Sequence, residues 1–225
     1  MNARSAPVPA TAPAPDQAPN LPSNLVGAHR TAAITRETAE TRITLRLDLD
    51  GTGRAEVATG IGFLDHMLTA LARHALFDLA VEAVGDLHVD FHHTAEDVGI
   101  VLGSALRQAL GDKRGIRRYG HAAVPMDEAL VEAAIDLSGR AFLVWKVPFE
   151  RPKIGEMDTE LFEEFFRALS ANGLFALHVM LRHGHNAHHI AEGAFKAVAR
   201  ALREAVEPDP RTAGAIPSTK GSLEG

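Results

Sequence analysis

Two short stretches carry residue types that grip metal ions: His92-His93-Thr94-Ala95-Glu96 and His188-His189-Ile190-Ala191-Glu192, both of the form His-His-x-x-Glu. Each opens a segment with apolar residues at helical spacing. On a helix, residues four apart share a face while adjacent residues point roughly 100° apart. The first His and the Glu of each motif can therefore hold one cation, and the second His must look elsewhere, so one motif feeds two sites. Neutral imidazole with carboxylate suits manganese, iron, zinc or cobalt, and a chain with no Cys offers no thiolate alternative. One such motif is weak evidence, because adjacent histidines on a solvated surface are common. Two copies at matching places in a repeated framework favour a metal centre.

The framework that must position them is strand-rich from Arg30. In Thr41 to Leu49, Ile43, Leu45, Leu47 and Leu49 alternate with polar residues, the mark of a half-buried strand. Asp50-Gly51-Thr52-Gly53 is a turn, and Arg54 to Thr59 returns as a strand. A short helix from Gly62 to about His74 follows, then strands near Phe77 to Ala83 and Leu87 to Phe91, then the first motif and its helix through Leu110. The second half repeats the order. Asp48 to Ala55 is echoed in Asp136-Leu137-Ser138-Gly139-Arg140-Ala141, a short helix covers Leu161 to Leu169, a strand Leu174 to Leu181, and the second motif opens a helix ending near Val206, before Pro208. His66 lies 26 residues before His92, and Glu164 lies 24 before His188. An inserted loop of about ten residues falls around Pro148 to Glu156.

This order predicts an α+β fold made of a duplicated half of three strands, helix, strand, helix. Each half buries one sheet face under its two helices, and the halves (about 30–115 and 116–207) pack as one pseudo-two-fold domain over 29–207. Residues 1–28, an Ala/Pro run without a basic start and an apolar stretch, read as a disordered extension. Residues 208–225 form a tail.

At 225 residues and 46% hydrophobic composition the chain can bury one sizeable core. A net charge of −6 provides no global basic field, which argues against nucleic acid or an anionic membrane surface as the main partner. No apolar run is long enough to span a bilayer. The absence of Cys excludes a disulfide framework and is compatible with a cytoplasmic location.

The repeat also predicts ligands at the starts of the short helices, where His66 and Glu164 occupy corresponding places. Crosswise combination of the halves gives one set of His66, His93, His188 and Glu192 and another of His92, Glu96, Glu164 and His189. The spacing leaves open which of Glu163 and Glu164 points inward, and whether a set comes from one chain or from several. His74, two helical turns after His66, can face the same cleft. His178 stands on a polar strand face, and His183 and His185 fall in a loop before Asn186. A dinuclear metallohydrolase would use similar ingredients, but its usual Asp-rich ligand set is missing; a metal-storage protein would need the ligands alone.

The stretches Arg36-Glu37-Thr38-Ala39-Glu40-Thr41, Thr59 to Leu68, Gly85-Asp86-Leu87, His92 to Asp97, Arg118-Tyr119-Gly120, Pro125-Met126-Asp127-Glu128, Asn186 to His189, Phe195-Lys196-Ala197 and Pro217-Ser218-Thr219-Lys220-Gly221 together resemble the imidazoleglycerol-phosphate dehydratase family. The resemblance implies a hydro-lyase of histidine biosynthesis that removes water from D-erythro-imidazole-glycerol phosphate to give imidazole-acetol phosphate. It implies two manganese ions per active site, which hold the substrate imidazole as imidazolate. The neighbouring hydroxyl is expelled, and a carboxylate then removes a carbon-bound proton. Glu40 matches the family's acid/base carboxylate, with Glu128 its counterpart in the repeat. Arg118, Arg140, Lys196, Ser218 and Lys220 match the phosphate and substrate contacts, so the tail contributes a phosphate-binding loop. The family assembles as a large homo-oligomer, twenty-four subunits, with active sites between subunits. One departure stands out: many relatives place His where this chain has Glu164.

Overall fold

The computed structural model describes residues 29–223, so the extension read over residues 1–28 lies outside the described residues. The first half contains β1 (Thr31–Glu37), β2 (Thr41–Asp48), β3 (Ala55–Ala58), α1 (Gly62–Ala75), β4 (Asp78–Gly85) and α2 (His92–Leu110). The second contains β5 (Tyr119–Met126), β6 (Ala129–Asp136), β7 (Phe142–Lys146), the two-residue strands β8 (Lys153–Ile154) and β9 (Met157–Asp158), then α3 (Leu161–Gly173), β10 (Ala176–His183) and α4 (Ala187–Val206). The sheets have orders β1-β2-β4-β3 and β5-β6-β10-β7. In both, only the last pair, β3 with β4 and β7 with β10, runs parallel. The duplication read from the sequence is thus a duplication of topology.

Strand alternation decides which face is covered. Ile43, Leu45 and Leu47 of β2 are buried, while Arg42 and Arg46 on the opposite face are exposed. Helices α1 and α2 lie over the first sheet and α3 and α4 over the second, each sheet carrying its helices on one side. The halves then meet helix to helix, α1 on α4 and α2 on α3. One continuous apolar core results, with Phe162, Phe165, Phe166 and Phe195 buried among one another at its centre.

Two glycines set the α2–α3 contact. A Cβ at Gly99 would lie 2.6 Å from the Phe165 carbonyl oxygen, and one at Gly103 would lie 2.5 Å from that of Leu169. Because Gly99 faces Phe165 and Gly103 faces Leu169, the two helices run parallel and their N-termini share one end. The α1–α4 pair is built alike: His66 meets His188 and Glu192, and His74 further along feels Lys196 and Arg200.

Three local expectations change. Residues 87–91 are not a strand: Val89 donates its N–H to the Asp86 carbonyl at 2.8 Å, closing a turn. The β4 edges are already taken by β2 and β3, so an alternating apolar pattern there has no strand to pair with. Leu174 is the left-handed cap of α3, with φ +52°, so the following strand starts at Ala176 and carries His183 as its last residue rather than in a loop. The inserted loop holds the small β8–β9 hairpin.

Candidate active site

The loop before α1 is closed by Asp65, whose Oδ1 accepts the Thr59 N–H at 2.8 Å and the Thr59 hydroxyl at 2.6 Å. Gly60 takes φ +80° in that loop, a conformation a side chain would resist. His66 follows directly after Asp65. At the start of α4, the Asn186 side chain caps the helix by accepting from the N–H groups of His188 (3.0 Å) and His189 (3.4 Å). The parallel packing sets these two starts side by side.

There His66, His188 and Glu192 present ligand atoms that all lie within 4.8 Å of one another. Glu192 Oε2 is 3.1 Å from His188 Nε2 and 3.5 Å from His66 Nε2. Its other oxygen receives the Lys196 ammonium at 2.6 Å, one helical turn on. Phe63 packs edge-on against His188 with ring centres 5.2 Å apart, giving the cluster an apolar wall. Burial works against the charge on Glu192, yet Lys196, His188 and His66 outweigh it and hold the carboxyl below its ordinary range. His74 is pushed the other way, toward the neutral form, by burial and by the nearby Lys196 and Arg200.

His189 turns from this cluster, as its place beside His188 requires. Its Nδ1 sits 2.7 Å from Glu128 Oε2, and its Nε2 is 3.6 Å from Asp127 Oδ2. Glu128 also accepts the N–H of Asn186 at 2.8 Å and of His185 at 3.3 Å. The hydrogen bond to His189 and then the Asn186 amide pull the Glu128 pKa down to about 2, and the same carboxylate raises that of His189.

The first motif is arranged similarly. His92 and Glu96 share a face with Nε2 and Oε2 3.9 Å apart. His93 turns away, with Nδ1 3.0 Å from Asp86 Oδ2 and Nε2 3.8 Å from Glu40 Oε1. The hydrogen bond to Asp86 raises the His93 pKa. Glu40 lies in the β1–β2 turn, where the Thr38 hydroxyl oxygen accepts the N–H groups of Glu40 (3.1 Å) and Thr41 (3.0 Å). The Thr41 hydroxyl and the Arg36 guanidinium converge on buried Asp97 of α2, which fastens this turn to the first motif's helix. Glu164, at the start of α3, instead pairs with Arg167 at 3.3 Å, and Glu163 reaches the same Arg at 2.7 Å.

A third group lies at another corner. Arg118 forks onto Asp136 with Nε and Nη2 at 2.7 and 3.1 Å, and its Nη1 donates to the Pro217 carbonyl of the tail at 2.9 Å. Leu137 donates its N–H to the Arg118 carbonyl at 3.1 Å, which ties down the turn bearing exposed Arg140. The Ser218 hydroxyl oxygen accepts the Lys220 N–H at 3.1 Å.

Of the first crosswise set, then, one chain joins His66, His188 and Glu192, while His93 stands with Asp86 and Glu40. Of the second, it joins His92 with Glu96, while His189 stands with Glu128 and Glu164 with Arg167. Lys196 belongs with Glu192, apart from the Arg118 corner. Sequence reasoning gave Asp86, Asp97 and Asp136 no task; the available signal for Asp86 was an acidic residue at a strand end just ahead of a His-His pair.

Comparison with known proteins shows the family. The family model described as imidazoleglycerol-phosphate dehydratase matches residues 59–202. The chain is 74% identical over 194 residues to the imidazoleglycerol-phosphate dehydratase of Acidiphilium cryptum, covering 86% of this chain and 99% of that one. It is 68% identical to that of Paracoccus denitrificans, covering 86% and 100%. The crystal structure of the Staphylococcus aureus imidazoleglycerol-phosphate dehydratase superposes with a TM-score of 0.73 at 38% identity, covering 79% of this chain and 99% of that one. Among the described residues no helix is long and apolar enough to cross a membrane. The chain belongs to the imidazoleglycerol-phosphate dehydratase family, the dehydratases of histidine biosynthesis.

Proposed function

We propose that the chain carries out the metal-dependent dehydration of D-erythro-imidazole-glycerol phosphate to imidazole-acetol phosphate, with two manganese ions per active site. The observation that carries the metal assignment is the convergence of His66, His188 and Glu192 within 4.8 Å at one pair of helix starts. Two imidazoles and a carboxylate form a donor set that a borderline divalent cation accepts. When bound, such ions supply Lewis acidity toward the substrate's imidazole ring.

The protein's own groups do the rest. His66, His188 and Glu192 hold one ion with His93, and His92, Glu96 and Glu164 hold the other with His189. His93 and His189 point away from the cluster on their own chain, which favours sites completed between copies of this chain in a large homo-oligomer. Glu40, half-exposed and with no side-chain hydrogen bond among the described residues, takes the proton from the carbon next to the one that loses its hydroxyl. The hydroxyl takes up a proton and leaves as water, and the resulting enol becomes the ketone by taking a proton at carbon and giving up the one on its oxygen. Arg118, Arg140, Ser218 and Lys220 receive the phosphate, a dianion suited to guanidinium forks in an otherwise acidic chain, and Lys196 and His74 contact substrate from the α1–α4 side. The cytoplasm is the proposed location.

The test is turnover. Chelated, metal-free protein should be inactive on imidazoleglycerol phosphate and regain activity with added Mn²⁺, with two ions per chain by elemental analysis. Full turnover without any metal would overturn the proposal.

A further inference from the structure

Each second-position histidine has its Nδ1 against a carboxylate: His93 on Asp86 at 3.0 Å, and His189 on Glu128 at 2.7 Å, with the His185 ring at 3.3 Å from the other Glu128 oxygen. A neutral imidazole has one N–H. A carboxylate at Nδ1 keeps the proton there and leaves the lone pair on Nε2. It also fixes the ring, because a half-turn about the ring bond would put a carbon where the hydrogen bond was.

The two carboxylates come from non-equivalent places. Glu128 sits in the first hairpin of the second half, the position that Glu40 occupies in the first half. Asp86 has no acidic counterpart, since the residues after β10 are Gly184 and His185. It is held by its own N–H, which donates to the Glu40 carbonyl at 3.1 Å, and its second oxygen, Oδ1, is buried with no partner among the described residues. A half-buried carboxylate with one oxygen buried and unsatisfied is costly, and its contact with His93 is the interaction that offsets that cost.

We infer that Asp86 and Glu128 are positioning residues that fix His93 and His189 as Nε2 donors, and that recruitment of Asp86 to this task leaves Glu40 free of it. In the second half Glu128 is engaged by His189, Asn186 and His185, and cannot serve as a mobile acid or base. In the first half the same hairpin position stays unengaged, with the Glu40 carboxylate 3.8 Å from His93 Nε2. This inference rests on the proposed metal sites.

The experiment titrates chelated protein with Mn²⁺ alone, without substrate, following free ion by electron paramagnetic resonance. Asp86→Ala and Glu128→Ala should each weaken one class of Mn²⁺ sites by about 10- to 100-fold. Asp86→Asn and Glu128→Gln, whose amide oxygen still accepts from Nδ1–H, should lose less than the Ala variants. At saturating Mn²⁺ the kcat of the Asn and Gln variants should return to within a few-fold of wild type, whereas that of Glu40→Gln should not. Solid-state ¹⁵N spectra of histidine-labelled metal-free protein add a readout independent of metal: His93 and His189 should be Nδ1–H tautomers in wild type and mixed in the Ala variants. Unchanged Mn²⁺ affinity in the Asn, Gln and Ala variants, or unchanged tautomers, would overturn the inference. If an Ala variant fails to fold, the amide variant decides: wild-type affinity and a lost Nδ1–H signal together would also overturn it. Wild-type protein that binds no Mn²⁺ at all would instead defeat the proposed function.

Discussion

Glu40→Gln separates chemistry from architecture because the structure gives the side chain so little else to do. Glu40 is 53% exposed at its side chain, and the imidazole nitrogen it faces, His93 Nε2, is 3.8 Å away. The turn is held by backbone and threonine contacts, through the Glu40 N–H and not its carboxylate. Exposed substitutions of this kind usually change stability by less than about 0.5 kcal/mol. Loss of a general acid or base typically costs about 10²–10⁴-fold in rate, equal to roughly 2.7–5.4 kcal/mol in the barrier. The two effects differ by several-fold in energy, so they cannot be confused. Purified Glu40→Gln should keep the wild-type unfolding temperature and manganese content while kcat falls by two to four decades. The assay is turnover of imidazoleglycerol phosphate, thermal unfolding and elemental analysis on one preparation. Wild-type kcat would refute the reasoning and move the proton transfer to Asp127, the exposed neighbour of an engaged Glu128.

Removing a metal ligand should look different: His188→Ala or His66→Ala lowers metal content and turnover together, and wild-type manganese content in either would remove that residue from the ligand set. Gly99→Ala gains about 1 kcal/mol of helix propensity but sets a Cβ against a rigid backbone carbonyl, an overpacking cost of about 1–3 kcal/mol, so the unfolding temperature should fall; a rise would contradict the close α2–α3 contact. The His189–Glu128 pair predicts a pH window for metal-free protein. Glu128 has a depressed folded pKa, so its contribution is complete above the ordinary 4.5 and is lost as pH falls toward about 2; His189 has a raised one, so its contribution is present below 6.5 and is lost as pH rises through the raised value. The stability difference between wild type and Glu128→Gln should therefore be greatest between these limits and shrink on both sides, and a pH-independent difference in denaturant titrations would count against the pair. Exhaustive chelation should reduce particle size in size-exclusion chromatography if ligands are shared between copies; an unchanged metal-free particle would limit the metal to catalysis.

Much of the fold was legible because its signals are local. Ile43, Leu45 and Leu47 declare a strand by alternation alone, and Asn186 before a helical period declares the start of α4. The misreadings arise where tertiary contacts override local preference. Leu76 and Leu174 both adopt the left-handed conformation at φ +59° and +52°, which leucine disfavours, because each is followed by a phenylalanine, Phe77 or Phe175, that must turn into the core. The site was legible as a list of donors, since helical spacing fixes that His188 shares a face with Glu192 and His189 does not. Which helices meet is not a local property. The α1–α4 and α2–α3 pairs come from docking the two halves, and only that docking sets His66 beside His188.

On the proposed reading, the same docking lets a duplicated fold yield two unlike sites. The pseudo-two-fold that exchanges α1 with α3 and α2 with α4 maps His66, His188 and Glu192 onto Glu164, His92 and Glu96. The first group offers two imidazoles and one carboxylate, and that carboxylate is already compensated by Lys196 at 2.6 Å. Its counterpart offers one imidazole and two carboxylates, with Arg167 beside Glu164 at 3.3 Å and, among the described residues, no Lys or Arg within 4.0 Å of the Glu96 carboxylate. A harder, more anionic set favours a harder ion and binds it with less competition from softer ones. The hairpins diverge in parallel: in one half Glu128 lies against His189, in the other Asp86 lies against His93 and the equivalent Glu40 has no such contact, which in the proposed mechanism leaves it able to exchange a proton. On the proposed reading, duplication supplied the symmetry that brings ligands to both helix pairs, and a few unsymmetrical carboxylates turned one copy toward structure and the other toward chemistry.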